Sequence, residues 1–344
     1  MKRFDVDSKK LSLLDYFRRC QKVLSSIALG ADAKDIFTQL QAIVESMEAG
    51  RIASVLKLDE STKTLHHYGN NRLPKLYADA IDGVEIGEYI GCCGSAVYLG
   101  KTVIAKDIQS HPNWVHYRDI AKIANLGSCW SVPIILSDGY VFGSFAVYSP
   151  NSASPTEDEL EVLTMSAHIG SVVIEKSRLE EKLKFAATHD ALTGILNRTQ
   201  FELLVGKMLL NLERNQLTMS LLFLDLNNFK EVNDLHGHDL GDELLTLFAK
   251  ALLSELRESD VVCRRGGDEF LVALVGTSKK GSEAYTERVR KDFLAKQQRL
   301  KYPQHIEFSV GVSEAKPGAY PTLTDLMIEA DKNMYKNKHL MKKS

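Results

Sequence analysis

The segment RRGGDEFLVAL, residues 264–274, places two adjacent glycines and two adjacent acids in front of an apolar run. Short apolar segments, VVC before it and FLVALV at its end, flank the polar residues. Glycine adopts a positive φ without the steric cost that other residues meet, and a tight turn between paired strands needs such a residue. The pattern therefore predicts a β-hairpin. Its turn residues are Gly266, Gly267, Asp268 and Glu269.

A second apolar run, MSLLFLDLNNFK at 219–230, is long enough for a buried strand and ends at Asp225. If this strand and the hairpin are neighbours, Asp225 meets Asp268 and Glu269. Three carboxylates that converge repel one another unless a cation lies among them, and a set of oxygen ligands suits Mg²⁺. Mg²⁺ in turn implies a ligand that carries phosphates. The alternative is that GGDE is only a solvated hairpin turn.

The segment NNFKEVNDLHGHDLGDELL at 227–245 adds polar residues around Gly237 and Gly241, which we expect to break the helical pattern and form a ligand loop. Its polar residues are Lys230, Asn233, His238 and Asp242. A buried carboxylate such as Asp242 accepts hydrogen bonds from both N1–H and N2–H of guanine, and Asn233 reads a neighbouring edge atom. Adenine lacks that pair of donors, so the pattern favours a guanine nucleotide.

The second half of the chain resembles a GGDEF-domain diguanylate cyclase over about residues 186–342. The motifs that carry the resemblance are DALTGILNR (190–198), LDLNNFKEVNDLHGHDLGD (224–242), RRGGDEF (264–270), FSVGVS (308–313) and ADKNMYKNK (330–338). The resemblance implies an α+β domain whose central, mainly antiparallel sheet is surrounded by helices. It also implies a reaction in which two GTP molecules, one on each domain of a homodimer, become cyclic di-GMP and two pyrophosphates.

This resemblance assigns metal and catalytic roles. Asp225 and Asp268 would hold Mg²⁺, or Mn²⁺ as a substitute, together with the carbonyl of Leu226. Asp268 or its metal-bound neighbourhood would also activate the attacking 3′-hydroxyl, and Glu269 would support the second metal or ligand position. Lys230 would stabilise the transition state.

The same resemblance assigns residues to the nucleotide. The amides of Asn228 and Phe229, at a helix start, would cradle phosphate, as the positive end of a helix dipole favours. The remaining substrate residues would be Asn233, His238, Asp242, Gly266, Gly267, Lys338 and Lys342. Among them, Asn233 and Asp242 would bind the guanine base.

Lys342 and Asn227 depart from the family's pattern. Lys342 stands four residues after Lys338, so both ammonium groups can reach one triphosphate from the same helical face. The family often has Arg in place of Lys342, for which a phosphate contact and a solvated face are both open. Asn227 stands where many relatives carry Asp, so fewer charges surround the metal. We expect activity to survive, because Asp225 and Asp268 are retained.

Arg257-x-x-Asp260 precedes the double glycine at the spacing of the family's product-inhibition site. Arginine can donate two hydrogen bonds to O6 and N7 of guanine, and aspartate can accept hydrogen bonds from the N–H groups of guanine. An Arg and an Asp at this spacing are, however, often merely a surface ion pair. Three other functions stay open: a non-catalytic cyclic di-GMP receptor that uses this pair, an enzyme that makes an adenine-containing dinucleotide, and an interaction module. The intact catalytic set argues against the receptor, and Asp242 argues against adenine.

The first half begins with helical spacing and turns to short β-like runs broken by glycine, which predicts an antiparallel sheet flanked by helices. SDGY at 137–140 lies between two such runs as an Asp-Gly hairpin turn. With GCCGSAVYLGKTVIAKDI, LGSCWSVPI and SPTEDELEVL, this order resembles a GAF domain of the small-molecule sensory type. The resemblance implies a small-molecule ligand, whose identity is open. SHPNWVHY at 110–117 either lines its pocket or packs as a loop.

A long helix is predicted from Thr156 to about Thr188, where Thr156 and Glu159 fit an S/T-x-x-E capping box. Apolar or small residues then form a seam, interrupted by Lys176, in steps of three and four. The seam residues are Met165, Ile169, Val172, Leu179, Leu183 and Ala186. The first half of this helix either packs on its own domain or pairs with a second chain, whereas SRLEEKLKF in the second half favours a two-stranded coiled coil.

The predicted domains are a GAF-like sensory domain at 20–155, a linker helix at 156–188 and a GGDEF domain at 189–344.

The chain of 344 residues is 44% hydrophobic with a formal charge of −2, so no global basic field favours nucleic-acid polymers or anionic lipid. It lacks an apolar stretch of membrane-spanning length and a signal peptide's apolar centre, so we expect a cytoplasmic protein. The five cysteines form no C-x-x-C pair and are expected to be reduced packing residues; a thiol sensor at Cys92 and Cys93 is the alternative.

Overall fold

The structure, a computed structural model, describes residues 13–70, 72–303 and 305–341. The chain divides into two compact units, Met1–Glu180 and Glu181–Ser344. Each unit has its own sheet, so the α+β prediction is confirmed. The predicted domain boundaries stay a prediction. Within the described residues, no helix combines the length and apolar character needed to span a membrane.

The first unit is built on a six-stranded sheet in which every pairing is antiparallel, in the order β3-β2-β1-β6-β5-β4. Its strands are β1 (Ile52–Asp59), β2 (Thr64–His67), β3 (Val84–Glu85), β4 (Val103–Ala105), β5 (Ser128–Ile135) and β6 (Val141–Ser149). Its helices before the linker are α1 (Leu13–Ala28), α2 (Ala33–Glu45), α3 (Lys75–Ile81), α4 (Gly91–Leu99) and α5 (Arg118–Ile123). The predicted hairpin turn joins β5 to β6, with a φ of 84° at Gly139.

Both faces of this sheet are buried, because alternate residues of each strand enter different cores. Phe145 and Val147 pack in a core with α1 and α2, whereas Ala146 and Tyr148 pack in a second core with α3 and α4. A fully buried aromatic such as Phe145 contributes about 1.5–3 kcal/mol relative to leaving it exposed. All five cysteines are buried and free, so their interpretation as packing residues is confirmed.

The long helix α6 spans Glu157–Thr188. Its capping box is confirmed by two reciprocal bonds. The Thr156 amide donates to Glu159 Oε2 at 2.8 Å, and the Glu159 amide donates to Thr156 Oγ1 at 3.2 Å. Residues such as Val162 and Val173 on the inner face are buried, so the first half of the helix packs on its own unit. Of the predicted seam, Met165, Val172, Leu179 and Leu183 are exposed on the outer face, whereas Ile169 packs against the core of the first unit.

The second unit has a five-stranded sheet in the order β11-β8-β10-β9-β7, which is antiparallel except between β7 and β9. Its strands are β7 (Leu196–Asn197), β8 (Met219–Leu226), β9 (Val261–Gly266), β10 (Glu269–Val275) and β11 (Phe308–Ala315). Its helices are α7 (Arg198–Asn215), α8 (Phe229–His236), α9 (His238–Ser254), α10 (Lys279–Arg299) and α11 (Leu323–Met341). The predictions of a mainly antiparallel sheet, a buried strand at β8 and a β9–β10 hairpin are confirmed.

The sheet of the second unit is also covered on both faces. Leu222 and Leu224 pack with α9 and α10, whereas Leu221 and Phe223 pack with α7 and α11. This explains why β8 is apolar at nearly every position instead of alternating. Asp225 follows the parity of Leu221 and Phe223, so its side chain lies on the α7 and α11 face.

The predicted ligand loop at 227–245 is instead a pair of helices, α8 and α9, that meet at Gly237. Gly237 has a φ of 87°, which suits glycine at the junction. Gly241 does not break the pattern but lies inside α9. A Cβ at Gly241 would stand 1.9 Å from Asn233 Oδ1, so this glycine lets the two helices approach closely. The expectation failed at Gly241 because close packing, and not a turn, requires the glycine there.

Candidate active site

The β9–β10 hairpin turns at Gly267 and Asp268, since Gly266 and Glu269 are cross-strand partners. Gly267 has a φ of 56° and Asp268 does not have a positive φ, the pattern expected of a type II′ turn with glycine at its first position. A Cβ at Gly266 or Gly267 would meet no atom within 4 Å, so the turn borders open space. The double glycine thus presents Asp268 at the end of the sheet.

Strand register brings the predicted acids to this same end. Glu269 of β10 and Ser309 of β11 are both cross-strand partners of Asp225 on β8. The Leu226 amide donates to the carbonyl of Asp268 at 3.3 Å, which joins the end of β8 to the turn. Asp225, Leu226, Asp268 and Glu269 are therefore neighbours, as the hairpin and strand patterns predicted.

The carboxylates of this cluster differ in their environment. Burial, and next the charge of Asp225, raise the pKa of Asp268, while Lys338 offsets part of that effect. Lys338 forms an ion pair with Asp225, which is only 9% exposed. Arg265 forms an ion pair with Glu269. Two basic side chains, Lys338 and Arg265, thus supply positive charge to the three converging acids.

The donor set fits a divalent cation with few protein ligands. In the described part of the chain, no group of three or more His, Cys, Asp or Glu side chains has the arrangement of a metal site. Mg²⁺, however, is usually held by one or two carboxylates and completes its shell with water and substrate phosphates. Asp225 and Asp268 offer that pair, and burial, followed by the charge of Asp225, raises the pKa of Asp268.

Asn227, which departs from the family's D-x-D pattern, has a different set of partners. Its Oδ1 accepts from the Ser309 hydroxyl at 2.8 Å, and its amide donates to the Glu307 carbonyl at 2.8 Å. The side chain therefore joins the end of β8 to β11. An amide is sufficient for this contact, which is consistent with the absence of a charge at this position.

The start of α8 supplies unpaired amides close to the acids. Asn228 occupies the N-cap position with a φ of 57°, and its side chain makes no capping bond. The first amides of a helix have no partner within the helix, so those at Phe229 and Lys230 are available to a ligand. Lys230 is exposed on this helix, four residues after the end of β8.

The predicted base-binding residues lie on two helices. Asn233 of α8 has a buried Oδ1 that lacks a hydrogen-bond partner, an acceptor suited to a ligand's N–H group. Asp242 of α9 is exposed, which corrects the expectation of a buried carboxylate: it lies on the outer face of the helix and lines a cleft with Leu192 and Tyr302. His238 is the exposed first residue of α9.

Lys338 is the predicted phosphate ligand that the structure places directly on an acid of the cluster. Lys342 lies outside the described residues. Sequence reasoning missed Arg265, which holds Glu269, and Arg264, which contacts Asp190 at 3.2 Å. The signal was available, since both arginines precede the double glycine and Asp190 opens the motif DALTGILNR.

The Arg257-x-x-Asp260 pair lies at the opposite end of β9, about 17 Å from the turn at the usual rise per residue. The oxygens of Asp260 accept from the Arg257 amide at 3.1 Å and from the Val275 amide at 3.0 Å. Asp260 therefore stabilises the chain segment that enters β9. The side chain of Arg257 is exposed.

The first unit contains a separate cavity between its sheet and the helices α3 and α4. Its walls include Tyr77, Cys92, Cys93, Trp114, Tyr117 and Tyr148. Trp114 and Tyr117 belong to SHPNWVHY, so this stretch both packs as part of the core and lines the cavity. Burial raises the pKa of Tyr77, of Cys93 and of Tyr148, so these groups stay neutral.

Comparisons with known proteins agree with the division into units. Residues 187–344 match the family model "Diguanylate cyclase, GGDEF domain", and residues 30–175 match the model "GAF domain". Among curated relatives, the methyl sulfide methyltransferase-associated sensor of Methanosarcina acetivorans is 34% identical over 163 residues, which are 47% of this chain and 16% of the relative. Diguanylate cyclase DgcM of Escherichia coli is 35% identical over 167 residues, which are 48% of this chain and 40% of the relative.

The matched part thus spans well under two thirds of these relatives. Cyclic di-GMP phosphodiesterase PdeR of Escherichia coli is also similar, with 38% identity over 120 residues, or 35% of this chain and 18% of the relative. Among solved structures, the coiled coil and GGDEF domain of DgcB from Caulobacter crescentus is 25% identical with a TM-score of 0.44, and the match covers 51% of this chain and 95% of that one. The relatives of this chain are therefore named both as diguanylate cyclases and as a cyclic di-GMP phosphodiesterase. Their names alone do not distinguish between these two activities for this chain.

Proposed function

Because the chain belongs to the GGDEF-domain family through residues 187–344 and carries a GAF domain at residues 30–175, we propose that it is a diguanylate cyclase that condenses two GTP molecules into cyclic di-GMP and two pyrophosphates. The observation that carries the proposal is the meeting of Asp225 and Asp268 at one end of the sheet, beside the amides that open α8. That arrangement suits a metal-bound triphosphate.

Asp225 and Asp268, with the Leu226 carbonyl, would hold Mg²⁺ or Mn²⁺, which would neutralise the charge that develops on the phosphate during displacement. Asp268 would accept the proton of the attacking 3′-hydroxyl. Glu269 would support this position. Lys230, exposed beside the opening amides of α8, would stabilise charge in the transition state.

The nucleotide would lie between the helix start and the hairpin. The amides of Asn228 and Phe229 would bind phosphate, and the open surface at Gly266 and Gly267 would admit it. Asn233 would bind the base through the Oδ1 that lacks a partner in the chain. The other base and phosphate ligands would be His238, Asp242, Lys338 and Lys342.

Two facing copies would be needed, since the second unit of each copy would hold one GTP and the 3′-oxygen of one GTP must attack the α-phosphorus of the other. The outer face of α6 supplies a surface for a homodimer. Met165, Val172, Leu179 and Leu183 on this face are 38–68% exposed, and they follow the seven- and four-residue steps of a coiled-coil seam. The GAF domain would then act on the rate by biasing this helix pair through its ligand.

The test is incubation of the purified chain with GTP and Mg²⁺, followed by mass analysis of the nucleotides. We expect cyclic di-GMP and pyrophosphate from the wild type and neither from Asp268→Ala. Glu283→Ala removes an exposed carboxylate of α10 outside the site and serves as the matched control, which should retain turnover. A wild type that binds cyclic di-GMP but makes none would instead be a receptor. Production of an adenine-containing dinucleotide would contradict the base assignment.

Product inhibition is proposed at Arg257, with Asp260 as the second residue of the motif. Inhibition constants for added cyclic di-GMP should rise in Arg257→Ala while synthesis continues. Unchanged inhibition in that variant would exclude this site.

A further inference from the structure

The position of α11 on the sheet is fixed by two asparagines one helical turn apart. Asn333 Nδ2 donates to the Val312 carbonyl at 2.9 Å, and Asn337 Nδ2 donates to the Val310 carbonyl at 2.8 Å. Gly311 lies between these two carbonyls, and a Cβ there would stand 2.1 Å from the carbonyl oxygen of Ala330 in the helix. The helix therefore lies directly on β11, with its rotation and its position along the strand both specified.

This anchoring determines where Lys338 lies. The residue follows Asn337, whose partner Val310 is adjacent to Ser309, the cross-strand partner of Asp225. Asp225 faces α11, because it has the same parity as Phe223 in the core beneath that helix. The Lys338 ammonium donates to Asp225 Oδ1, although 113 residues separate the two in sequence.

The ion pair satisfies an electrostatic need of the chain itself. The side chain of Asp225 is 12% exposed and that of Lys338 is 28% exposed, so both charges are partly withdrawn from water. A carboxylate with so little exposure requires a positive partner or it takes up a proton. Lys338 therefore carries the positive charge that the pair of aspartates needs.

We propose that Lys338 occupies two positions in turn: on Asp225 while the acid cluster holds no divalent cation, and on the substrate's triphosphate once a cation replaces the ammonium at Asp225. This inference rests on the proposed function for its second position and not for its first. In the first position Lys338 keeps the two aspartates from repelling each other. The cation's arrival releases Lys338 at the moment when a negatively charged phosphate becomes available nearby.

The two positions have opposite consequences for binding. A cation that binds without nucleotide must displace the ammonium from Asp225, so Lys338 weakens its affinity. A nucleotide that arrives with the cation gains an ammonium contact, so Lys338 strengthens its affinity. Loss of a lysine that acts only on the triphosphate would weaken nucleotide binding alone, and loss of a lysine with a purely structural role would weaken the binding of both cation and nucleotide.

The experiment measures Mn²⁺ binding to the full chain without nucleotide, by the loss of the free-ion paramagnetic resonance signal. We expect Lys338→Met to bind Mn²⁺ about tenfold more tightly than the wild type, which corresponds to about 1.4 kcal/mol. Lys336→Met is the matched control, since Lys336 is an exposed lysine of the same helix and its loss changes the net charge equally. Its Mn²⁺ affinity should stay within about twofold of the wild type, because exposed charges are screened by salt.

A second measurement uses a non-hydrolysable GTP analogue at saturating Mg²⁺. Lys338→Met should bind the analogue about tenfold more weakly, the effect of a charged hydrogen bond worth about 1.4 kcal/mol. Unchanged or weaker Mn²⁺ binding in Lys338→Met, or no Mn²⁺ binding in any variant, overturns the proposal. Circular dichroism confirms that the variants are folded. The Mn²⁺ measurement requires no turnover. A failure of the proposed reaction can therefore be distinguished from a failure of this inference.

Discussion

The two units bury polar groups in opposite ways. In the first unit, the cavity beside α4 is lined by thiols and phenols, and burial raises the pKa of Cys93 and of Tyr148, so that the groups stay neutral. In the second unit, Asp225 and Glu269 are partly buried, and each forms an ion pair with a basic side chain. The walls of the cavity are neutral, whereas the acid cluster suits a cation and phosphates.

The difference explains why one function can be read from the sequence and the other cannot. A site made of charges requires particular residue types at fixed positions, and these stand out as motifs. A cavity made of neutral groups requires shape, which many combinations of apolar and aromatic residues can provide. Substitutions that remove a charge from the second unit or add polarity to the first unit test this contrast.

The largest effect is expected from removing the charge at the centre of the acid cluster. Asp225→Asn keeps the shape of the side chain and removes the charge that Lys338 and a metal ion both require. We expect kcat to fall about 10³-fold, the magnitude typical of losing a principal electrostatic contact in an active site. Steady-state kinetics at saturating GTP and Mg²⁺ measures the loss. A decrease below tenfold would indicate that the metal is held elsewhere.

A substantial part of the site could be predicted from sequence because its elements are local. The hairpin at Gly267 follows from a double glycine between apolar runs, and the end of β8 follows from a continuous apolar segment that stops at Asp225. Their adjacency was only an expectation, since strand order depends on the whole fold. The register between Glu269 and Asp225 confirms it.

The remaining features depend on packing between distant segments. The ion pair of Lys338 with Asp225 requires α11 to lie on β11, and no local pattern specifies that contact. Gly241 was misread as a helix breaker because the neighbour that needs its space, Asn233, belongs to another helix. Asp242 was expected to be buried, but its position on the outer face of α9 follows from the rotation of the helix on its core.

Substitutions in the Arg257-x-x-Asp260 motif should distinguish the loss of an exposed charge from the loss of a structural contact within the second unit. Asp260→Ala leaves the Arg257 and Val275 amides without their acceptor, and we expect the free energy of unfolding to fall by about 1–3 kcal/mol. Urea denaturation measures this change. Arg257→Ala, in contrast, removes an exposed side chain and should change stability by less than about 0.5 kcal/mol. Equal losses in both variants would show that Asp260 has no special structural role.

The cavity of the first unit should respond to added polarity. Cys93→Ser replaces a thiol that contacts the Tyr148 hydroxyl at 3.6 Å with a more strongly hydrated group of similar shape. We expect a loss of about 1 kcal/mol in the free energy of unfolding of this unit, since part of the desolvation cost is offset by a hydrogen bond to Tyr148. Cys93→Ala distinguishes polarity from lost volume. A serine variant as stable as the wild type would mean that the cavity is more polar than its walls indicate.

The smallest effect is the pH dependence of stability that arises from Asp268. Its pKa is raised in the folded chain, first by burial and next by Asp225, so the folded state holds this proton more tightly than the unfolded state. Between the ordinary aspartate pKa of about 3.9 and the raised value, the folded state binds more protons, and this group's contribution to stability therefore decreases as pH rises. Asp268→Asn should remove that slope, which urea denaturation at a series of pH values measures as the difference between the two proteins. A slope of the opposite sign would mean that Lys338 outweighs both burial and Asp225, and that Asp268 already lies in a positive potential before any cation binds.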